Sequence, residues 1–233
     1  MSQRSRYLQN FVAWLLLGLV CFALNRYTNS DVALSNLFYD AETSRFPLKD
    51  NHLLTLLFHD GLRWLTVLIW LGLLIAAILP KCDAAARREI LKILTISLLA
   101  AVIVSMLKSS SVHSCPWDLS MYGGTADYLR LFERTFDTQN TGPGRCFPSG
   151  HASTAFMWIV LLYSPLPWLR KQRKSVAVLL LLSGTLAGAV QITKGAHFLS
   201  HVLATAWICW AIPLIYYGGE HLRSLEFTAD QSQ

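Results

Sequence analysis

Charged side chains are scarce in this sequence: they make up 15% of its 233 residues, whereas 53% are hydrophobic. A soluble domain usually needs more charge and less apolar surface than this. The sequence also lacks an internal repeat, a low-complexity tract and a boundary between two compositions. These absences exclude a repeat array and a second domain, and they predict a single integral membrane domain over residues 1–233.

Six apolar segments divide the chain, each comparable in length to a helix that crosses ~30 Å of hydrocarbon. They span residues 11–24, 62–79, 90–107, 149–166, 176–192 and 200–217. Short polar connections join the second segment to the third and the fourth to the fifth, so each pair is expected to form an antiparallel hairpin. We therefore predict an all-α fold, a six-transmembrane-helix bundle.

No small-x-small cleavage site follows the first apolar segment, so we interpret it as an uncleaved anchor rather than a signal peptide. Lys and Arg residues flank the N-terminus and the short connections at residues 80–89 and 170–175. Because basic residues resist translocation, these connections and both termini are predicted to be cytoplasmic. The formal net charge of +6 follows from this topology and suits a lipid bilayer, so we expect no nucleic-acid partner.

Two longer polar segments, residues 26–61 and 108–147, then face outward and form an extracytoplasmic loop segment over the ends of the helices. Lys108 ends the third apolar segment, where snorkelling to the interface is its alternative role. The motif at residues 148–151, Pro-Ser-Gly-His, opens the fourth segment. Its proline suits a helix start, Ser149 can cap the first amides and Gly150 permits close backbone approach, which together predict an anion seat.

His151 adds to this seat a group that gives or takes a proton near neutral pH, although a helix-capping role for the motif is the alternative. His197 and His201 follow the fifth segment, and a spacing of four would place both rings on one helix face. That spacing also occurs in metal sites, but the glutamate of H-E-x-x-H is absent and no Cys or carboxylate is obviously paired with them. We therefore predict no metal and no cofactor, and a histidine pair at the lipid interface remains the alternative.

Taken together, the three elements resemble the type 2 phosphatidic acid phosphatases, six-helix membrane enzymes that remove phosphate from lipid phosphates and diphosphates. The family pattern is Lys-x6-Arg-Pro, then Pro-Ser-Gly-His, then Arg-x5-His-x3-Asp. This chain reads, in the same order, Lys108-x6-Cys115-Pro116, Pro148-Ser149-Gly150-His151 and Gln191-x5-His197-x3-His201. Order, spacing and helix number agree over nearly the whole chain.

Three positions depart from the family pattern. Cys115 and Gln191 stand in place of arginine, and His201 stands in place of aspartate. Each missing arginine removes a bidentate phosphate contact. Lys194, one helical turn from Gln191, and Arg145, just ahead of the second motif, are predicted to compensate.

The resemblance implies a two-step transfer through a phosphohistidine at the periplasmic face of a bacterial inner membrane. It implies that His197 is the nucleophile, that His201 accepts a hydrogen bond from it and orients it, and that His151 is the proton donor. The implied phosphate contacts are Lys108, Arg145, Lys194 and the backbone at Ser149 and Gly150. The substrate is expected to be a membrane lipid phosphate, and residues 38–61 and 195–201 are similar to a bacterial subgroup near the lipid A 4'-phosphatases.

Cys115 and Cys146 both lie in the second outward segment, where an oxidising compartment favours a disulfide. The bridge would join the loop after Lys108 to the start of the His151 helix. The alternative is two free thiols.

Three other functions compete with a lipid phosphatase. A lipid phosphotransferase would use the same site with a second lipid as acceptor. A catalytically degenerate protein would bind lipid phosphates without hydrolysis, and the replaced family residues favour it. A transporter is disfavoured, because no charged residue stands out in the middle of the apolar segments.

Overall fold

The structure, a computed structural model, describes residues 3–133 and 140–230, with side chains at 5–58, 60–133 and 140–220. Over these residues the chain is helical and contains no β-strand, which confirms the all-α prediction for them. The α-helices are α1 (Gln3–Tyr27), α2 (Ser30–Asn36), α3 (His52–Thr55), α4 (Leu62–Ile78), α5 (Ala84–Ser109), α6 (Gly150–Phe156), α7 (Pro167–Thr193) and α8 (Leu199–Asp230). A π-helix spans Leu56–Gly61, and 3₁₀ helices span Pro116–Asp118, Ser120–Tyr122 and Met157–Leu162.

Local sequence signals start the long helices. The side chain of Asp83 accepts a hydrogen bond from the Ala86 amide at 2.8 Å and caps α5. Pro167 occupies the first turn of α7, where its missing N–H leaves no hydrogen bond unmade. Ser149 caps α6. The helix α6 begins one residue after its predicted start at 149, whereas α5 and α7 begin six and nine residues before the predicted starts at 90 and 176.

Tryptophan side chains fix the outer helices to the bundle. Trp14 of α1 stacks on Trp207 of α8 with ring centroids 4.9 Å apart, and its indole N–H donates to the Trp207 carbonyl at 3.0 Å. Trp70 of α4 donates in the same way to the Leu94 carbonyl of α5 at 3.3 Å. These contacts fix α1 against α8 and α4 against α5.

The short α6 and the 3₁₀ helix that follows it lie at the centre of the bundle, packed against α4, α5, α7 and α8. Their apolar side chains form the core with neighbours from those helices. Fully or almost fully buried members are Ile93, Ala100, Val104, Ala152, Phe156, Val160, Val202 and Cys209. The motif at residues 148–151 is therefore mounted on the best-packed element of the chain.

Six full-length membrane spans are not confirmed. Within the described residues, five helices are long and apolar enough to cross a membrane: Ser5–Tyr27, His52–Ile78, Ala84–Ser109, Pro167–Thr193 and Leu199–Glu220. The predicted fourth span, 149–166, contains seven α-helical residues and six in a 3₁₀ helix, a length of about 22 Å. Pro148 precedes α6 and Pro165 follows the 3₁₀ helix, and a proline, which lacks a backbone N–H, disfavours extension of the segment as a regular helix at either end.

The two longer polar segments pack on each other at one end of the bundle. Their contact is a small apolar cluster made of Phe46, Leu119, Tyr122, Ala126 and Phe198. Phe198 directly follows His197, so the cluster joins the loop segments to the candidate site. Residues 134–139 of the second segment lie outside the described part of the chain. The part of the predicted loop segment that falls on them is therefore not described.

Candidate active site

Three elements bring a lysine and two histidines to one place. Lys108 lies in the last turn of α5, His151 in the first turn of α6, and His197 in the turn between α7 and α8. His151 Nδ1 and His197 Nε2 are 3.5 Å apart. Lys108 Nζ lies 3.7 Å from the point that a Cβ on Gly150 would occupy, over the start of α6. A lysine ammonium and two imidazoles thus lie close together.

The start of α6 is locked against α8. Ser149 is fully buried, its amide donates to the His201 carbonyl at 3.2 Å, and its hydroxyl accepts from the Ala152 amide at 3.5 Å. Thr205 Oγ1 donates to the Ser149 carbonyl at 3.0 Å. Because the first amides of a helix have no intrahelical acceptor, this fixed end presents positive partial charge toward His151 and Lys108.

His197 is held by its own turn. Gly195, at φ +69°, ends α7 in the left-handed region, and a Cβ there would collide with the ring of Phe46. The Gln191 carbonyl then accepts hydrogen bonds from the amides of Ala196 at 2.9 Å and His197 at 3.3 Å. Since α8 begins only at Leu199, His197 is not helical, and the expectation of two histidines on one helix face is wrong.

The environment of His197 keeps its imidazole neutral. Burial lowers the pKa of His197 well below its ordinary value of 6.5, and the positive charges of His201, His151 and Lys108 lower it further. A hydrogen bond with the main chain of Cys146 acts in the opposite direction. Nδ1 of His197 faces Cys146 Sγ at 3.5 Å, and Nε2 faces His151 Nδ1 at 3.5 Å.

His201 lies beside His197 without the predicted hydrogen bond between the two rings. Their centroids are 5.7 Å apart in an edge-to-face arrangement, and Phe147 and Phe198 contact the His201 ring at centroid distances of 5.4 Å. His201 is 2% exposed, and among the described residues no partner bonds its Nδ1. In this structure Cys146, rather than His201, contacts Nδ1 of His197.

Lys194 and Arg145 are placed differently from Lys108. Lys194 is buried and its ammonium donates to Thr55 Oγ1 at 2.5 Å. Arg145 is exposed and has a left-handed backbone, φ 58°, with its amide bonded to the Ser111 carbonyl at 2.8 Å. Among the lysine and arginine side chains that the structure describes, Lys108 is the one whose charge acts on His197. Phosphate contacts by Lys194 and Arg145 therefore remain predictions.

Cys115 and Cys146 form the predicted disulfide, with an S–S distance of 2.03 Å. It joins the residue before the 3₁₀ helix at Pro116–Asp118 to the non-helical segment that leads into α6. The Cys146 amide is independently bonded to the His113 carbonyl at 2.9 Å, and the Trp117 amide to the Gly195 carbonyl at 3.0 Å. The bridge thus ties the loop after Lys108 to both histidine-bearing turns.

Donor atoms of Cys146, His197 and His201 lie within 4.8 Å of one another, the geometry of a possible metal centre. In the disulfide form the sulfur is bonded to Cys115 and is not a thiolate, so it offers little as a ligand. The pairing of a cysteine with these two histidines is a feature that their sequence spacing did not reveal.

A buried polar network lies beside the site, and no sequence motif predicts it. Asp31, in the first turn of α2, accepts hydrogen bonds from the Ser200 amide at 2.9 Å, from Ser200 Oγ at 2.6 Å and from Asn25 Nδ2 at 2.8 Å. All three residues are buried. The carboxylate thereby fixes the first turn of α8, which directly follows His197.

His113 is a fourth histidine near the cluster that sequence reasoning did not single out. Burial lowers its pKa, while a hydrogen bond with the main chain of Arg130 and the charge of Glu133 oppose the change. It is close enough for its charge to act on His201. The sequence signal that could have identified His113 is its position five residues after Lys108.

The fold and the site define a helical membrane protein in which a lysine and two histidines lie close together at one helix start. A family model, the PAP2 superfamily, matches residues 89–223, more than half of the chain and all three motifs. The chain belongs to the PAP2 superfamily, which agrees with the resemblance to type 2 phosphatidic acid phosphatases. Members are phosphoesterases, so membership indicates phosphatase activity. Curated proteins and solved structures give no significant match.

Proposed function

We infer that the chain is an integral membrane lipid phosphatase that hydrolyses a phosphomonoester or a diphosphate of a membrane lipid. The observation that carries this proposal is the 3.5 Å contact between His151 Nδ1 and His197 Nε2, with Lys108 over the adjoining helix start. One phosphoryl group entering this space would contact all three side chains. Its transfer needs mainly charge stabilisation and positioning, which these groups supply.

In the first step, neutral His197 attacks phosphorus with the Nε2 lone pair. An N–P bond forms as the bond from phosphorus to the lipid oxygen breaks, and His151 gives its proton to that oxygen. The low pKa of His197 supports this role, because the imidazole stays unprotonated at neutral pH. The two imidazoles are too close to hold a phosphoryl group between them, so His151, which is half-buried, must rotate as the substrate enters.

In the second step, His151 accepts a proton from water as the water oxygen attacks phosphorus. The N–P bond breaks, inorganic phosphate leaves and neutral His197 returns. Cys146 takes the place of the family aspartate as the group at Nδ1 of His197, through its main chain and its sulfur. This arrangement fixes the tautomer but adds no negative charge, so a modest turnover is expected.

A substrate at the outer membrane boundary fits the position of the site. The basic residues of the connections lie near the opposite end of the bundle, where Lys92 donates to Glu220 at 2.7 Å. With those connections in the cytoplasm, the site faces the periplasm of a bacterial inner membrane. Substrates whose phosphate projects there are the phosphates of lipid A, undecaprenyl diphosphate, phosphatidylglycerophosphate and phosphatidate.

A degenerate lipid-phosphate-binding protein is the second candidate. The observation in its favour is the missing carboxylate, because His201 does not bond His197 and cannot stabilise a positive phosphohistidine as an aspartate would. Such a protein would bind a lipid phosphate at Lys108 without releasing phosphate.

A phosphate-release assay separates these functions. The purified protein in detergent should release inorganic phosphate from at least one lipid of the panel in the presence of EDTA. His197→Ala should lower the rate by about 10³-fold or more, since the covalent route is lost. His52→Ala, which removes an exposed histidine of α3, is the matched control and should retain the rate. If the wild type binds the lipid phosphate without releasing inorganic phosphate, the degenerate protein is supported. If a second lipid becomes phosphorylated and no free phosphate appears, a phosphotransferase is supported.

A further inference from the structure

The unpartnered nitrogen of His201 points to a second state of the site. His201 is 2% exposed, and no hydrogen-bond partner of its Nδ1 exists among the described residues. A buried polar atom without a partner is unfavourable. A ligand that it binds in another state would explain why the position holds a histidine.

The neighbours of His201 are the donors that a soft divalent cation prefers. Cys146 Sγ, His197 and His201 place one donor atom each within 4.8 Å of one another, and all three residues are buried. With Zn–S near 2.3 Å and Zn–N near 2.0 Å, a tetrahedral ion separates sulfur and nitrogen by about 3.5 Å. The observed distance from Cys146 Sγ to His197 Nδ1 is 3.5 Å.

The disulfide decides whether this set can bind a metal. While Cys146 is bonded to Cys115, its sulfur has no negative charge. Thiol–disulfide exchange with a dithiol reductant breaks the S–S bond, gives two protein thiols and leaves the reductant as a disulfide; when the metal binds, Cys146 releases its proton to solvent. Its main chain stays in place without the bridge, because the Cys146 amide bonds the His113 carbonyl at 2.9 Å.

We propose that the reduced chain holds one Zn²⁺ on Cys146, His197 and His201, and that formation of the Cys115–Cys146 disulfide closes this site. The fourth position is open to water or to the Cys115 thiol. The positive charge of Lys108 opposes a dication here, and the thiolate offsets half of the ion's charge. Zinc chemistry with one cysteine and two histidines is an ordinary ligand set.

If His197 is the nucleophile, a further consequence follows that rests on the proposed function. A metal on Nδ1 leaves the one remaining imidazole proton on Nε2, so the lone pair that attacks phosphorus is lost. The reduced, zinc-bound chain is then inactive. A disulfide oxidant that exchanges with the two cysteines takes up two electrons, forms the Cys115–Cys146 bond, expels the metal and frees the nucleophile.

Cobalt absorption tests the site independently of activity. Cys115→Ser leaves Cys146 as a permanent thiol, and this variant should bind about one Co²⁺ per chain with an intense near-ultraviolet thiolate-to-cobalt band. The double variant Cys115→Ser with Cys146→Ser should lose the band, and His201→Ala in the Cys115→Ser background should weaken binding by tenfold or more. Cys209→Ser, which removes a buried cysteine of α8, is the matched control and should behave as the oxidised wild type.

The wild type treated with a phosphine reductant provides the same test without a substitution. It should bind Co²⁺ with the same band after reduction and should show no band when oxidised, and Zn²⁺ should displace the cobalt. A reduced wild type without the band, or an oxidised one that binds equally well, would overturn the proposal. These spectra do not depend on phosphatase activity, so loss of the proposed function would leave them interpretable.

Discussion

Asp31 gives the sharpest test of how the fold holds the site. Its carboxylate is 2% exposed and accepts hydrogen bonds from the Ser200 amide, the Ser200 hydroxyl and the Asn25 side chain. Asp31→Ala removes the acceptor of two buried donors, Ser200 N and Ser200 Oγ, whereas Asn25 Nδ2 keeps Ser200 Oγ at 3.3 Å and Tyr128 Oη at 3.4 Å. Each donor left without an acceptor costs about 1–3 kcal/mol, so the free energy of unfolding should fall by about 2–6 kcal/mol.

Two further variants calibrate this value. Asp31→Asn keeps an oxygen for the Ser200 amide and replaces the other oxygen with a donor, so it should cost about 1–3 kcal/mol. Asp50→Ala removes an exposed carboxylate and should stay within about 0.5 kcal/mol of the wild type. In detergent, scanning fluorimetry should therefore rank the melting temperatures with Asp50→Ala highest, then Asp31→Asn, then Asp31→Ala.

Asp31→Ala should also lower the rate of phosphate release. Ser200 lies three residues after His197, so release of the first turn of α8 displaces the nucleophile, and phosphate release measured well below the melting temperature should fall. If Asp31→Ala melts together with Asp50→Ala, the buried network contributes nothing and this reasoning is refuted.

Two other predictions concern the charges around His197. Since its pKa is lowered well below 6.5, kcat/KM should stay level as the pH falls through 6.5, and Lys108→Met, by removing one of the positive charges, should move the acid limb to higher pH. An acid limb that stays in place in Lys108→Met would show that this charge does not act on His197. Lys194→Ala should lower kcat/KM by less than tenfold, because its ammonium is bonded to Thr55, whereas Lys108→Ala should lower it by about 10²-fold or more. Equal losses would place Lys194 at the phosphate, as the sequence predicts.

The motifs predicted which elements meet, because their order along the chain places each beside a helix end. Lys108 and His151 lie where the apolar periodicity changes, and such boundaries are readable from the sequence. The disulfide was also accessible, since both cysteines share one outward segment. The full span expected over residues 149–166 is not confirmed, since between Pro148 and Pro165 the segment consists of α6 and a 3₁₀ helix.

The rest of the site depends on contacts between residues far apart in the sequence. Asp31 and Ser200 are 169 positions apart, and a single aspartate in a loop carries no periodic signal. Lys194 and Thr55 are 139 positions apart, so the sequence did not predict that Thr55 accepts a hydrogen bond from this ammonium. The spacing of His197 and His201 suggested one helix, whereas a left-handed glycine at 195 ends α7 before it reaches them.

The most direct measurement of the central claim is the identification of a phosphorylated histidine. In His151→Ala, a phenyl phosphate with a good leaving group should still phosphorylate the enzyme, while the second step is slowed because water has no base. Alkaline quenching, digestion and mass spectrometry should then find one phosphoryl group on His197. A phosphoryl group on another residue, or phosphate release with full rate from His197→Ala, would contradict the account.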